Sequence, residues 1–219
     1  MTISVIFENR EFIIVNKPIG ISIHNGDSNS KVSNQYDLLN ILGKQLKYKK
    51  LYPVHRLDKE TSGIQIFALN SESAKKIAEE FQTSSVIKIY LGILRGKLKV
   101  QNGVWKKPLT DKSEGRKYPE GIAAQRIPCE THFKLIQQNN YFSLCEFDIK
   151  TGRQHQIRKH SAISGHALVG DSRYGDPKYN DKIESLYKTQ RMFLHCNKII
   201  IAGQIFESKV PDEFNLLML

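Results

Sequence analysis

Long apolar runs are missing from this 219-residue chain. The longest, such as Phe12-Ile13-Ile14-Val15 and Ile199-Ile200-Ile201-Ala202, fall far short of the roughly 20 residues that span a bilayer. The opening Met1 to Glu8 has no basic stretch followed by an apolar run, so no secretory leader is read there and a cytoplasmic location without membrane partner is expected. Cysteine is scarce: Cys129, Cys145 and Cys196 are odd in number and widely spaced, which suits reduced thiols and excludes a disulfide framework or a CxxC zinc knuckle. HExxH is absent too, and His155, His160 and His166 are spaced so that no two share a helical face at i, i+4. No GxGxxG, Walker-type or GxSxG segment occurs. No metal and no cofactor are therefore expected.

What the chain does have is positive charge. Lys and Arg number 33 against 22 Asp and Glu, a formal net charge of +11. Hydrophobic content of 40% and charged content of 25% belong to a folded protein and exclude a disordered basic tail. A chain of this length buries roughly 70% of its unfolded surface in one core and needs no covalent staples, so residues 1–219 are expected to form a single domain. The excess charge argues about partners, and the partners that fit are nucleic acid or an anionic membrane surface. The first agrees better with the missing apolar runs.

Local patterns suggest alternating strands and helices. Ile3 to Phe7 and Phe12 to Val15 read as strands, the second broken by Lys17-Pro18-Ile19-Gly20. Asn25 to Asn34 reads as a surface loop and Tyr36 to Leu46 as a helix. Ser71 is read as the N-cap of an amphipathic helix in which Ala74, Ile77, Ala78 and Phe81 recur at helical spacing. A strand is expected over Val86 to Leu94. Thr131 to Ile136 and Tyr141 to Ile149 suggest a hairpin, Arg153 to Ser164 a helix ended by Gly165, and Lys198 to Phe206 a last strand before a short tail. Residues 97–128 are rich in Gly and Pro and read as loop. Residues 86–128 hold ten Lys and Arg against Asp111, Glu114 and Glu120, so +7 of the +11 lies there. Trp105 and Tyr118 stand among these cations. Interleaved aromatics and cations supply stacking and phosphate neutralisation on an RNA-binding surface; equally, they describe a solvated loop anchored by its tryptophan.

Two polar clusters carry the candidate chemistry. The first is Val54-His55-Arg56-Leu57-Asp58-Lys59-Glu60-Thr61-Ser62-Gly63. The second, Lys150 to His160, lies in a stretch without an acid between Asp148 and Asp171. Either is compatible with a wet surface. An acid set among Arg56 and Lys59, and met by Arg153 from the second cluster, would however stay ionised even when partly buried, because a nearby opposite charge lowers a carboxylate pKa by about 1–3. A carboxylate held in a basic cleft is a candidate nucleophile.

The first cluster resembles the HRLDxxTSG signature of the RluA-type family of RNA pseudouridine synthases. Phe12 to Gly20 with the following Ile-Ser-Ile-His24 resembles that family's opening NKPxG segment, and Lys88-Ile89-Tyr90 its K-x-Y element. Thr151 to Arg158, with Gly165-His166, Gly170-Asp171 and Tyr174-Gly175, resembles its TGRxHQ(I/L)R…GHPIxGDxxYG block, and Arg191 to His195 its closing segment. Ala167 stands where the family has Pro, and Cys196 where it has Ala, both small changes away from Asp58.

The resemblance implies an α+β pseudouridine synthase fold with a largely antiparallel central sheet flanked by helices and loops. It implies Asp58 as the nucleophile, Tyr90 stacked on the target base and able to help remove the C5 proton, Arg153 as the partner of Asp58, Arg56 at the flipped nucleotide and Ile157 lining the pocket. RNA, whether tRNA or 23S rRNA, is the implied partner, with neither cofactor nor obligatory protein partner, and a monomer is expected. Lys106, Lys107, Arg116 and Lys117 in the loop, and Arg158 and Lys159 in the helix, are expected to meet phosphates. Many relatives carry an N-terminal S4 domain; here the catalytic opening starts by about Ile3, and none is expected. Two other readings stay open. One is a non-catalytic RNA-binding protein on the same fold, and the other a metal-independent ribonuclease with His55 or His155 as acid and base.

Overall fold

The computed structural model describes residues 1–23, 37–48, 50–83 and 85–219. The loop expected over Asn25 to Asn34 and the motif residue His24 lie outside the described residues. In chain order the elements open with strands β1 (Ser4–Glu8) and β2 (Phe12–Lys17), helix α1 (Leu38–Leu46), strands β3 (Tyr52–Pro53) and β4 (Ser62–Ala68), and helix α2 (Ser71–Gln82). Strands β5 (Ile87–Arg95), β6 (Asn102–Trp105), β7 (Thr131–Gln138) and β8 (Phe142–Ile149) follow. Helices α3 (Gln156–Ile163) and α4 (Pro177–Tyr187), strands β9 (Leu194–Ile201) and β10 (Gln204–Glu207), and helix α5 (Glu213–Met218) complete the chain. This is an α+β fold whose strand pairing is largely antiparallel, as expected. The chain forms two compact units, one of residues 1–86 and 196–209, the other of residues 87–195 and 210–219.

In the first unit the strands run in the order β1-β2-β4-β9, with β3 also on β4 and β10 on β9. All seven residues of β4 are buried, and Ile13, Ile14, Val15, Ile64, Ile66 and Phe67 form the middle of the sheet, with α2 packed against β4 and Leu38, Leu42 and Ile77 of the helices also buried. Gly63 shows how tightly that middle is packed. Its φ is +112°, and a Cβ there would lie 2.2 Å from the Cys196 carbonyl oxygen, so the last residue of the TSG motif must be glycine for β4 to lie against β9. Helix α2 is capped by Asn70, whose side chain accepts from the Ser73 amide at 2.8 Å, one residue before the expected cap. The single strand expected over Lys198 to Phe206 is a hairpin. Ala202 and Gly203 both have positive φ, and Ile201 pairs with Gln204 across a two-residue turn of the kind whose twist matches flanking strands.

In the second unit the order is β5-β8-β7-β6, consecutive neighbours antiparallel. The core gathers Ile93, Phe142, Val169, Ile183, Phe193, Phe214, Leu217 and Met218. Three of these come from α5, where the sequence suggested only a tail; six residues were too few for periodicity to register. Helix α4 was also unforeseen, although Asp176 caps it through the Lys178 amide at 3.0 Å and Pro177 opens it. Helix α3 starts three residues later than expected because His155 adopts the left-handed conformation, φ 57°, which the helix cannot extend through.

Candidate functional site

Each polar cluster is built into its own unit. In the first, the segment before β4 alternates inward and outward. His55 turns inward: its Nε2 accepts from the Ile66 amide at 3.0 Å, its carbonyl accepts from Gln65 Nε2 at 2.8 Å, and its ring stacks on Phe81 with centroids 4.8 Å apart. Leu57 is buried in the same direction, while Arg56 is exposed and Asp58 half-buried. The motif thus spends His55 and Leu57 on anchoring and leaves Arg56 exposed and Asp58 half-buried. Asp58 opens a tight turn closed by the Thr61 amide donating to the Asp58 carbonyl at 3.1 Å.

A lysine lies beneath that turn. Lys17, at the end of β2, is fully buried, and its ammonium donates to the carbonyls of Pro18 at 3.0 Å, Ile21 at 2.9 Å and Lys59 at 3.3 Å. The Gly20 amide donates to the same Lys59 carbonyl at 2.8 Å. Burial pulls the Lys17 pKa down to about 8, against the opposing pull of the Asp58 and Glu60 carboxylates. One cation therefore ties the Pro18 to Ile21 loop to the residue after Asp58. Sequence reasoning took Lys17 as part of a strand-breaking group and as the lysine of the NKPxG segment, with no role assigned; the available signal for burial was a lone lysine closing an otherwise apolar strand.

The second unit holds Tyr90, Arg153 and Ile157. Tyr90 is buried on β5 opposite Phe147, and Ile157 is buried in the first turn of α3. Arg153 sits in a turn organised by Gln156, whose Oε1 accepts from the Thr151 hydroxyl at 2.7 Å and the Arg153 amide at 3.2 Å while its Nε2 donates to the Glu130 carbonyl at 2.8 Å. Asp111 faces the same turn: one oxygen accepts from the Gln154 amide at 2.8 Å and the other lies 3.9 Å from Arg153 Nη1. Arg153 Nε is buried without a hydrogen-bond partner among the described residues. Gln156 stood in the motif with no role assigned and Asp111 only in the charge count; both organise this turn.

Arg158 and Lys159 do not face RNA phosphates, and this corrects the expectation for them. Arg158 is buried and ion-paired with Asp171, its Nε 2.8 Å from Oδ2 and its Nη2 3.0 Å from Oδ1. Lys159 is also fully buried, donating to the carbonyls of Thr110 at 2.9 Å and Lys112 at 2.6 Å and to Glu114 at 3.2 Å. Helix α3 is covered along Gln156 to Ser161, so its cations serve the fold. They also hold the basic loop: with His160 Nε2 2.9 Å from the Lys107 carbonyl, consecutive residues of α3 anchor residues 107–114.

On that loop Lys106, Lys107, Arg116 and Lys117 are exposed. Lys106 lies 3.0 Å from Glu130, and Arg116 makes a 3.5 Å bond to the Gly175 carbonyl. Trp105 stacks on Phe133 at 4.6 Å and lies 5.8 Å from Phe147, which answers the open question about it in favour of an anchor. Tyr118 remains exposed beside Lys117. Among the described residues, no helix is long and apolar enough to cross a membrane and no metal-binding cluster of His, Cys, Asp or Glu is found.

Residues 11–162 match the family described as RNA pseudouridylate synthase. The chain is 32% identical to ribosomal large subunit pseudouridine synthase C of Pasteurella multocida, over 89% of its own length but 59% of that relative's. It is 31% identical to tRNA pseudouridine synthase C of the same organism, over 96% of its own length and 90% of the relative's. Among solved structures it resembles human RNA pseudouridylate synthase domain containing 1, with a TM-score of 0.77 and 24% identity, covering 97% of this chain and 84% of that one.

Proposed function

Because the chain belongs to the RNA pseudouridylate synthase family, we propose that it isomerises uridine in RNA to pseudouridine, with Asp58 as the nucleophile. The observation that carries the reading is the Asp58 turn: a half-buried carboxylate in a segment whose neighbours His55 and Leu57 are committed to the core and which the Lys17 ammonium ties down at the Lys59 carbonyl. A nucleophile needs to be held still, and the hydrogen-bonded turn does this. In the isomerisation the C1′–N1 bond breaks, the base turns, C1′ bonds to C5, and the C5 proton is lost while N1 gains one. Atoms and charge balance within the nucleotide, and no cofactor enters. By resemblance Tyr90 stacks on the base, Arg153 is the cation assigned to Asp58, Ile157 lines the pocket and Arg56 meets the flipped nucleotide. Extrusion of a uridine costs a few kcal/mol, which contacts to the exposed loop cations offset. The substrate is tRNA, large-subunit rRNA or both, in keeping with the names of the matched relatives, and no obligatory protein partner is invoked.

The ribonuclease reading loses its proposed acid and base, since His55 Nε2 accepts a backbone amide and His155 Nδ1 is engaged by the Tyr174 hydroxyl at 2.9 Å. Tritium release from [5-³H]uridine-labelled tRNA and rRNA tests the proposal. Wild type is expected to release tritium without shortening the RNA, and Asp58→Asn to release none. Equal release by both proteins would remove Asp58 from the mechanism, and shortened RNA would restore the nuclease.

A further inference from the structure

Cations also gather in the first unit, away from the loop already described. Residues 38–57 contain Lys44, Lys47, Lys49, Lys50 and Arg56 and not one acid. Lys44 lies in the last turn of α1, where one cation complements the helix dipole; the others exceed that need. Lys44, Lys47 and Lys50 are exposed, and none of the three is ion-paired with a carboxylate among the described residues. Leu39, Asn40, Gly43, Lys44, Tyr48 and Lys50 line an open groove of about 310 Å³ floored by Leu51. Two acids border the segment: Asp37 accepts from the amide and side chain of Asn40, and Glu8 accepts the Tyr48 hydroxyl. That bond fixes the Tyr48 ring at the groove wall, and Lys50 Nζ lies 4.7 Å from the centre of the Tyr52 ring. Among the described residues the groove lining itself contributes two lysines and no acid, and one of those cations lies over an aromatic ring, which suits a polyanionic strand rather than a compact anion.

We propose that this groove, lined by Lys44 and Lys50 and followed along the chain by the exposed Lys47 that precedes its Tyr48 wall, is a second RNA-binding surface that takes backbone phosphates. The assignment of RNA rather than another polyanion rests on the proposed function. Strand pairing places the surface relative to Asp58: Tyr52 pairs with Ala68 at one end of β4, whereas the Asp58 turn enters β4 at Ser62. Six residues of strand separate the two ends, about 20 Å. The groove therefore meets nucleotides remote from the target uridine, and its contribution is to hold the RNA rather than to act on the base.

The test is equilibrium binding of the full chain to a tRNA transcript and to a large-subunit rRNA fragment across a salt series. Substituting Lys44, Lys47 and Lys50 together by Gln is expected to lower the slope of log Kobs against log salt by about 2 to 3, at roughly 0.7–0.9 for each lost phosphate contact. The matching triple substitution by Arg is expected to keep the wild-type slope, which separates charge from packing. An unchanged slope in the Gln variant, with its melting temperature also unchanged, would overturn the proposal. So would loss of binding to polyglutamate with RNA binding intact, which would assign the groove to an acidic protein. Pseudouridine formation is scored separately. If wild type forms none but the Gln variant still loses slope, the proposed reaction fails and the surface stands; if wild type is active and the slope does not move, the surface fails and the reaction stands.

Discussion

Lys17 is the residue whose chemistry is most exposed to test. Its ammonium is buried against three carbonyls, and desolvation lowers its pKa to about 8 despite Asp58 and Glu60. In the unfolded chain the group returns to 10.5, so between about pH 8 and 10.5 the unfolded state binds the extra proton. Stability from this group is therefore fully present above the unfolded value and lost as pH falls through about 8. Urea unfolding of wild type and Lys17→Met is expected to show wild type gaining on the variant from pH 7 to pH 10, by up to about 3 kcal/mol. A difference independent of pH would mean that burial does not perturb the lysine. The motif lettering shows that a lysine stands at this position and not that it is buried, because burial depends on Pro18, Ile21 and Lys59 closing over it.

At the scale of elements, helix α3 is the part the sequence misjudged most. Its run of Arg158, Lys159 and His160 read as a basic outer face, yet each side chain points into protein: to Asp171, to Thr110, Lys112 and Glu114, and to Thr131 and Lys107. Periodicity identifies a face only when one side of a helix meets water, and α3 is covered on all sides along its middle. Its cations are legible only once their acids and carbonyls, which lie 13 to 53 residues away in sequence, have been brought to them. Glu114 shows the balance at one such contact. Burial pushes its carboxyl up, and the Thr110 hydroxyl and Lys159 more than reverse this, leaving it below the ordinary value. Lys159→Met removes the donor to the Thr110 and Lys112 carbonyls and the cation paired with Glu114, and is expected to cost about 3 kcal/mol or more. Hydrogen exchange should quicken over residues 107–121 more than over β7 and β8. Uniform protection would show that α3 does not hold the loop.

For the whole molecule the question is where the +11 goes. Lys17, Lys88, Arg158, Lys159 and Arg191 are buried, so under the proposed function the phosphate contacts are assigned to exposed cations, chiefly those of the loop over residues 97–128. Replacing Lys106, Lys107, Arg116 and Lys117 together by Gln is expected to reduce the salt slope of RNA binding by about 3. A wild-type slope would mean that this loop does not touch phosphate. The sequence by itself determined the family, through two motif blocks, and placed β1, β2, β5, β7 and β8 within a residue or two, since apolar β-branched runs and turn residues are local signals; it read the stretch holding β6 as loop and merged β9 with β10. It also drew attention to Asp58, because an acid flanked by Arg56 and Lys59 is visible in one dimension. Only the tertiary structure decided which cations face inward and which face water. That choice is made by partners distant along the chain: a buried charge is tolerated where acids and carbonyls converge on it, and their convergence is a property of the fold.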